Sequence, residues 1–302
     1  MLHSARTFFH DRGVMEVDCP ALSSAAPIDL HIDVMKVHLK NGHLAYLHTS
    51  SEYGMKRLLA AQIGDIYQIS HVFREGEIGP LHNPEFTMAE WYRIGFSFEE
   101  MIDETLDFIR LFLGNLPKQS MSYRQTLLEF LGIDYTRLSS YELFQCAQEH
   151  HLNLPEDGKN WDSDTLLQLL ITFLVEPQLG KDHLFVLSDF PPTQAALAKT
   201  ITDAGGQSVA CRFEVYYKGI ELANGYHELT DPIEQRRRFE EGNRARLQAG
   251  KDPLKIDEKL LNALDEGLPD CCGVAVGFDR LMLLKNGQNH IKHIIPFSWE
   301  ES

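Results

Sequence analysis

Two β-rich runs, Asp65 to Phe73 and Phe86 to Tyr92, are joined by a polar loop and not by a helix, and this junction constrains the fold more than any other feature. Strands connected through a loop pair antiparallel, because a parallel partner is normally reached through a crossover helix. Further strand-like runs lie at Ile32 to Leu39 and Leu44 to His48, and the helical stretch among them is Ser51 to Ala61. Repeated strands with few crossover helices predict an antiparallel sheet flanked by helices, an α+β architecture. The chain opens with an amphipathic helix pattern from Leu2 to Arg12, stops at Gly13, alternates as a strand over Val14 to Val17 and closes at Pro20.

From Ser97 the apolar period becomes helical, with Phe98, Met101, Ile102, Thr105, Leu106, Phe108 and Ile109 on one face. We expect a helical insertion over about 97–180 within a single domain covering 1–302, with the polar run Leu154 to Asp164 as a surface loop. Strand-like runs return at Leu184 to Leu187, Arg212 to Tyr217 and Ile220 to Leu222. Pro232 to Gln248 reads as a helix whose Glu and Arg density marks a solvated face. Gly273 to Gly277 is a small-residue strand, followed by a helix over Phe278 to Leu284.

The 302 residues carry a formal net charge of −16, opposite to what broad contact with a nucleic-acid backbone requires, so stable tRNA binding is not expected. Cys19, Cys146, Cys211, Cys271 and Cys272 are odd in number and lack C-x-x-C pairs and zinc spacing, which reads as reduced thiols. No apolar run approaches the roughly 20 residues of a membrane span, and Arg6, His10, Asp11 and Arg12 interrupt the start as a secretory signal would not. We expect a cytoplasmic protein with no membrane contact.

Three stretches carry candidate chemistry. In the first, Arg74 follows a strand and precedes a loop holding Glu75, Gly76, Glu77 and His82. A planar guanidinium on a rigid strand suits an α-phosphate, although R-x-x-E alone more often marks a surface hairpin. In the second, Glu214, Glu221 and Glu228 are threaded through a β-rich apolar run. Glu214 and Glu221 could hold Mg²⁺ while substrate phosphates complete its shell, or simply face outward from a strand. In the third, Gly273, Ala275 and Gly277 leave one strand face nearly bare before Arg280 opens a helix. Such a face can lie against a planar ligand, or pack closely on its own helix.

In this order the chain resembles the class II aminoacyl-tRNA synthetases, with Arg6 to Leu22 as motif 1, Phe73 to Tyr92 as motif 2 and Gly273 to Leu283 as motif 3. His82-Asn83-Pro84-Glu85-Phe86-Thr87-Met88 and the run from Gly219 to Leu229 are similar to the lysyl subgroup. The chain begins at the motif 1 helix, with no room for the N-terminal OB fold that reads the anticodon in lysyl-tRNA synthetases. With Thr49 to Leu59 and Tyr216 to Gly225, that truncated form resembles the elongation factor P–lysine ligase family, whose members attach (R)-β-lysine to a lysine side chain of elongation factor P.

The resemblance implies an ATP-dependent, AMP-forming ligase that activates lysine or (R)-β-lysine, uses Mg²⁺ and dimerises through motif 1 around Pro20. Arg74 and Arg280 would be catalytic. ATP would meet Arg74, Glu75, Gly76, His82, Asn83, Glu221, Leu222, Gly277 and Arg280, with adenine on Phe86, and the metal would sit on Glu214 and Glu221. The amino acid would meet Ser50, Ser51, Glu52, Tyr92, Asn224, Ala275 and, at its side-chain ammonium, Glu228. Three positions depart from the synthetase pattern: Gly76 replaces the usual motif 2 acid, which moves to Glu77; Leu81 stands where Arg is frequent; and Ala275 replaces a glycine, an alanine the ligase family shares. Other readings are a minimal lysyl-tRNA synthetase, a ligase making a free small-molecule amide, and a non-catalytic regulatory paralogue, the last disfavoured because Arg74 and Arg280 are both present.

Overall fold

The computed structural model describes residues 1–302, the side chain of Glu156 excepted. Contacts divide the chain into two compact units, Met1–Gly114 with His227–Ser302, and Asn115–Tyr226. Along the chain the first unit contributes α1 (Leu2–His10), β1 (Met15–Glu16), β2 (Leu22–Ser23), β3 (Lys36–His38), β4 (Leu44–Leu47), α2 (Glu52–Ala60), β5 (Ile66–Phe73), β6 (Glu85–Ile94) and α3 (Phe98–Leu113). The second unit follows with β7 (Lys118–Ser122), α4 (Tyr123–Leu131), α5 (Ser140–Glu149), α6 (Ser163–Leu170), β8 (Leu184–Phe190), β9 (Thr200–Thr202), β10 (Ser208–Tyr217) and β11 (Ile220–His227). The chain then returns to the first unit with α7 (Pro232–Gln248), α8 (Glu258–Gly267), β12 (Cys271–Gly277) and α9 (Phe278–Lys285).

In the first unit the strands run β1-β5-β6-β12, with β5–β6 antiparallel as the loop-joined runs predict and β6–β12 antiparallel as well. β1 pairs parallel with β5, reached through the segment that contains α2, and a small sheet β2-β4-β3 lies apart. An aromatic cluster holds α1 and α3 against the hairpin. Phe9 stacks on Tyr67 with centroids 4.2 Å apart, and Trp91 and Phe108 meet at 5.1 Å. α3 starts where Ser97 and Glu100 form a reciprocal capping box and ends at Gly114, whose φ of 88° suits only glycine comfortably. α7 carries the expected charged face, Arg237 pairing with Glu234 and Glu241, but Arg246 is buried and donates to the Asp29 carbonyl at 2.6 Å.

In the second unit β11-β10-β8 is antiparallel, β7 pairs parallel with β8, and β9 lies on β10. Its core gathers Leu127, Leu143, Leu166, Leu170, Phe185 and Tyr216 between helices and sheet. Capping boxes at Ser122/Gln125 and Ser139/Glu142 start α4 and α5. The stretch expected to be helical throughout therefore contains a strand, β7, whose Lys118-Gln119-Ser120-Met121-Ser122 has no strong apolar alternation; pairing with β8 makes it a strand. The run expected as a strand from Ile32 shortens to Lys36–His38.

Candidate active site

In the first unit, β6 and β12 pair in a register that sets Glu90 opposite Ala275 and Tyr92 opposite Gly273. Directly paired residues of antiparallel strands share a face, so these four line one surface. Glu90 is buried and collects Ser50 Oγ at 2.8 Å, Ser51 N at 3.0 Å, Ser51 Oγ at 2.9 Å and Tyr92 OH at 2.7 Å. Burial raises its pKa, with the charge of Glu52 adding and the hydrogen bonds opposing. Ser50 and Ser51 are thus turned to Glu90, which the sequence reading did not single out.

Beside this group lies a buried ion-pair relay. Lys56 Nζ is 2.6 Å from Glu52 Oε1 and 2.5 Å from Glu228 Oε2, and the Lys56 and Glu228 side chains are 2% and 1% exposed. Burial pulls the Lys56 pKa down, but the charges of Glu228 and Glu52 more than offset it and hold the ammonium protonated. Burial pushes Glu228 up to about 8 against the opposing charge of Lys56, with Glu52 and Glu90 adding to the rise. Gly273 leaves the space that Tyr92 and Glu228 occupy, since a Cβ there would lie 2.3 Å from the Tyr92 ring and 2.4 Å from Glu228 Oε1.

A second group in the same unit surrounds the β5–β6 loop. Arg74 follows β5, its backbone N–H donating to the Pro84 carbonyl, and its guanidinium lies 5.1 Å from the Phe86 ring centroid. Arg74 Nε is buried with no hydrogen-bond partner among the described residues, a donor left for an acceptor from outside the chain. The acid displaced to Glu77 reaches Arg74 at 3.6 Å, whereas Glu75 and Gly76 are exposed. Arg280, in the first turn of α9, meets His82 Nε2 at 2.6 Å, and Gly277 caps that helix. Asp279 ties α9 to β6 by accepting from Thr87 N at 2.9 Å. Asn83 donates to the Glu85 carbonyl and accepts from Trp299 N, joining the loop to the C-terminal segment.

Glu214, Glu221, Leu222 and Asn224 belong to the second unit. A register shift sets Tyr216 opposite Glu221 while Glu214 stays opposite Asn224, so Leu222 is the extra residue of a bulge and Glu214, Tyr216, Glu221 and Asn224 share a face. Buried Glu214 accepts from Arg212 and Tyr216 OH, each at 2.6 Å. Its pKa is raised by burial, with Arg212 opposing and Glu221 adding. Glu176, also unforeseen, is pushed up to about 7 by burial and then by Glu214 and Glu221. Leu222 is buried, and Asn224 Oδ1 is buried without a partner among the described residues. No group of three or more His, Cys, Asp or Glu among the described residues is arranged to hold a metal ion. Magnesium needs only one or two protein carboxylates when phosphates supply the rest, and the mutually repelling Glu214 and Glu221 fit that donor set.

The family model for class II tRNA synthetases (D, K and N) matches residues 1–301. The chain belongs to this family. Among class II relatives, one from Edwardsiella ictaluri is 44% identical over 99% of this chain and 92% of its own length. One from Vibrio parahaemolyticus is 45% identical over 98% of this chain and 93% of its own, and one from Klebsiella pneumoniae is 46% identical over 97% and 91%. All three are named elongation factor P–(R)-β-lysine ligases. The synthetase fold expected from the three motifs is the fold of this family, and no helix among the described residues is long and apolar enough to cross a membrane.

Proposed function

We propose that this chain is an elongation factor P–(R)-β-lysine ligase, which activates (R)-β-lysine with ATP and transfers it to a lysine side chain of elongation factor P. Membership of the class II synthetases carries ATP use with it. The observation that carries the choice of amino acid is the acidic group of buried Glu90 and Glu228 with half-buried Glu52, which offers acidic side chains where a diamino acid presents ammonium groups. A pocket for a neutral side chain would have no reason to bury them.

In the first half-reaction the substrate carboxylate attacks the α-phosphorus of ATP and pyrophosphate leaves. Arg74, with its unpartnered Nε, takes the α-phosphate, and Arg280, set by α9 and Asp279, adds positive charge at the phosphates. Phe86 supports the adenine ring, and His82 and Asn83 hold the loop that covers the nucleotide. Glu214 and Glu221 would hold Mg²⁺, which would supply positive charge against the phosphates. In the second half-reaction the acceptor's lysine amine attacks the acyl carbonyl and AMP leaves, so no covalent enzyme intermediate forms. We place the protein in the cytoplasm, as five free cysteines agree with, and as a homodimer through motif 1.

Amino-acid-dependent ATP–pyrophosphate exchange tests the activation step. Exchange with (R)-β-lysine at a higher kcat/KM than with lysine supports the reading; exchange with aspartate or asparagine in preference to both lysine isomers overturns it.

A further inference from the structure

Lys56 has no part in the chemistry above, yet it is the most completely buried ammonium of the acidic pocket, held between Glu52 and Glu228. Its position follows from the sequence: on α2 it sits four residues after Glu52, so both side chains leave one helical face, and that face looks toward the segment after β11 that carries Glu228. The charged and titratable groups of the pocket are Lys56 and Glu52 from α2, Glu90 and Tyr92 from β6, and Glu228; β12 adds only the bare Gly273 and the methyl of Ala275. Fully ionised, three carboxylates and one ammonium would leave two negative charges, the complement of the two ammonium groups of a diamino acid; burial opposes the ionised form of Glu228, and the charge of Lys56 favours it. Without Lys56 the rise that burial gives Glu228 would be larger, and the ionised pocket would form only at a higher pH.

We propose that Lys56 is a positioning and specificity residue that suits the pocket to a diamino acid by fixing Glu52 and Glu228 in place through its two ion pairs and by favouring the charged form of Glu228. The proposal rests on the ligase reading and deepens it. Lys56 acts through the two glutamates and takes no part in bond making. The direction of titration follows: burial raises the pKa of Glu228 to about 8, so the pocket accepts an ammonium better as pH rises toward that value. Lys56 restrains that rise, and Glu52 adds to it.

The test is kcat/KM for (R)-β-lysine in ATP–pyrophosphate exchange, followed against pH for the wild type, Lys56→Met and Glu52→Gln. The wild-type profile climbs and bends near the Glu228 value of about 8. Lys56→Met moves the bend upward by about one pH unit or more, which lowers kcat/KM at neutral pH about tenfold while the KM for ATP stays unchanged. Glu52→Gln moves the bend in the opposite direction, whatever it does to the height of the profile, and it decides the matter if Lys56→Met does not fold. Bends that stay at the wild-type pH in the variants that fold reduce Lys56 to a structural ion pair and overturn the proposal. A wild type that exchanges with no lysine isomer defeats the ligase reading instead, so the two failures are distinguishable.

Discussion

Adding one methyl group at Gly273 is the smallest perturbation that tests the pocket. A Cβ built on Gly273 lies 2.3 Å and 2.5 Å from two Tyr92 ring carbons and 2.4 Å from Glu228 Oε1, where ordinary contact begins at 3.4 Å. Each neighbour must therefore retreat by about 1 Å, a displacement that close packing resists. Neither is free to move, since Tyr92 is 2% exposed and bonded to Glu90, and Glu228 is 1% exposed and paired with Lys56. Overpacking of this kind costs about 1–3 kcal/mol. If that strain falls on the bound pocket, Gly273→Ala raises the KM for the amino acid about tenfold to a hundredfold, at roughly 1.4 kcal/mol per tenfold. Pyrophosphate exchange gives the KM for amino acid and for ATP separately, and thermal melting shows how much of the strain falls on the fold. An unchanged amino-acid KM together with an unchanged melting temperature would refute the reasoning, because the methyl would then have found room that the geometry denies it.

Four further outcomes follow from particular contacts. Arg74→Ala removes the guanidinium whose Nε has no partner among the described residues, and exchange should fall at least about a hundredfold, as on losing a preorganised transition-state donor, with an unchanged melting temperature. Ala275→Gly clears the methyl opposite Glu90 and should narrow the preference for (R)-β-lysine over lysine, read as the ratio of kcat/KM values. Phe9→Ala empties the centre of the aromatic cluster and should cost about 3–5 kcal/mol in denaturant unfolding with little effect on substrate KM. Glu176, raised to about 7 by burial and by Glu214 and Glu221, binds its proton more tightly folded than unfolded. Its contribution is therefore complete below the ordinary glutamate range and is lost as pH rises through 7. In metal-free buffer Glu176→Gln should melt higher than wild type at pH 8, a difference that closes near pH 5.

Much of the fold was legible because its signals are local. Ser97 with Glu100 caps α3, the loop-joined β5 and β6 pair as read, and the bare run Gly273–Gly277 is a strand followed by a helix bearing Arg280. β7 was missed because its sequence has no pattern of its own and pairing with β8 alone makes it a strand. The division into two units was equally hidden, since it depends on which distant residues pack together. Of the candidate site, Arg74, His82 and Arg280 stand out through motif order. Glu90 and Lys56 do not, although each carries a signal: Glu90 stands two residues before Tyr92 on a strand, and Lys56 four after Glu52 on a helix. Glu176 reaches Glu214 and Glu221 across more than thirty residues, and no local pattern marks it.

The most direct test of the central claim is an intact-mass measurement on one mixture containing the enzyme, ATP, Mg²⁺, (R)-β-lysine, elongation factor P and tRNA. The account predicts a gain of one β-lysyl unit on elongation factor P, lost when its acceptor lysine is replaced by arginine, and unmodified tRNA. Acylated tRNA beside unmodified elongation factor P would contradict it.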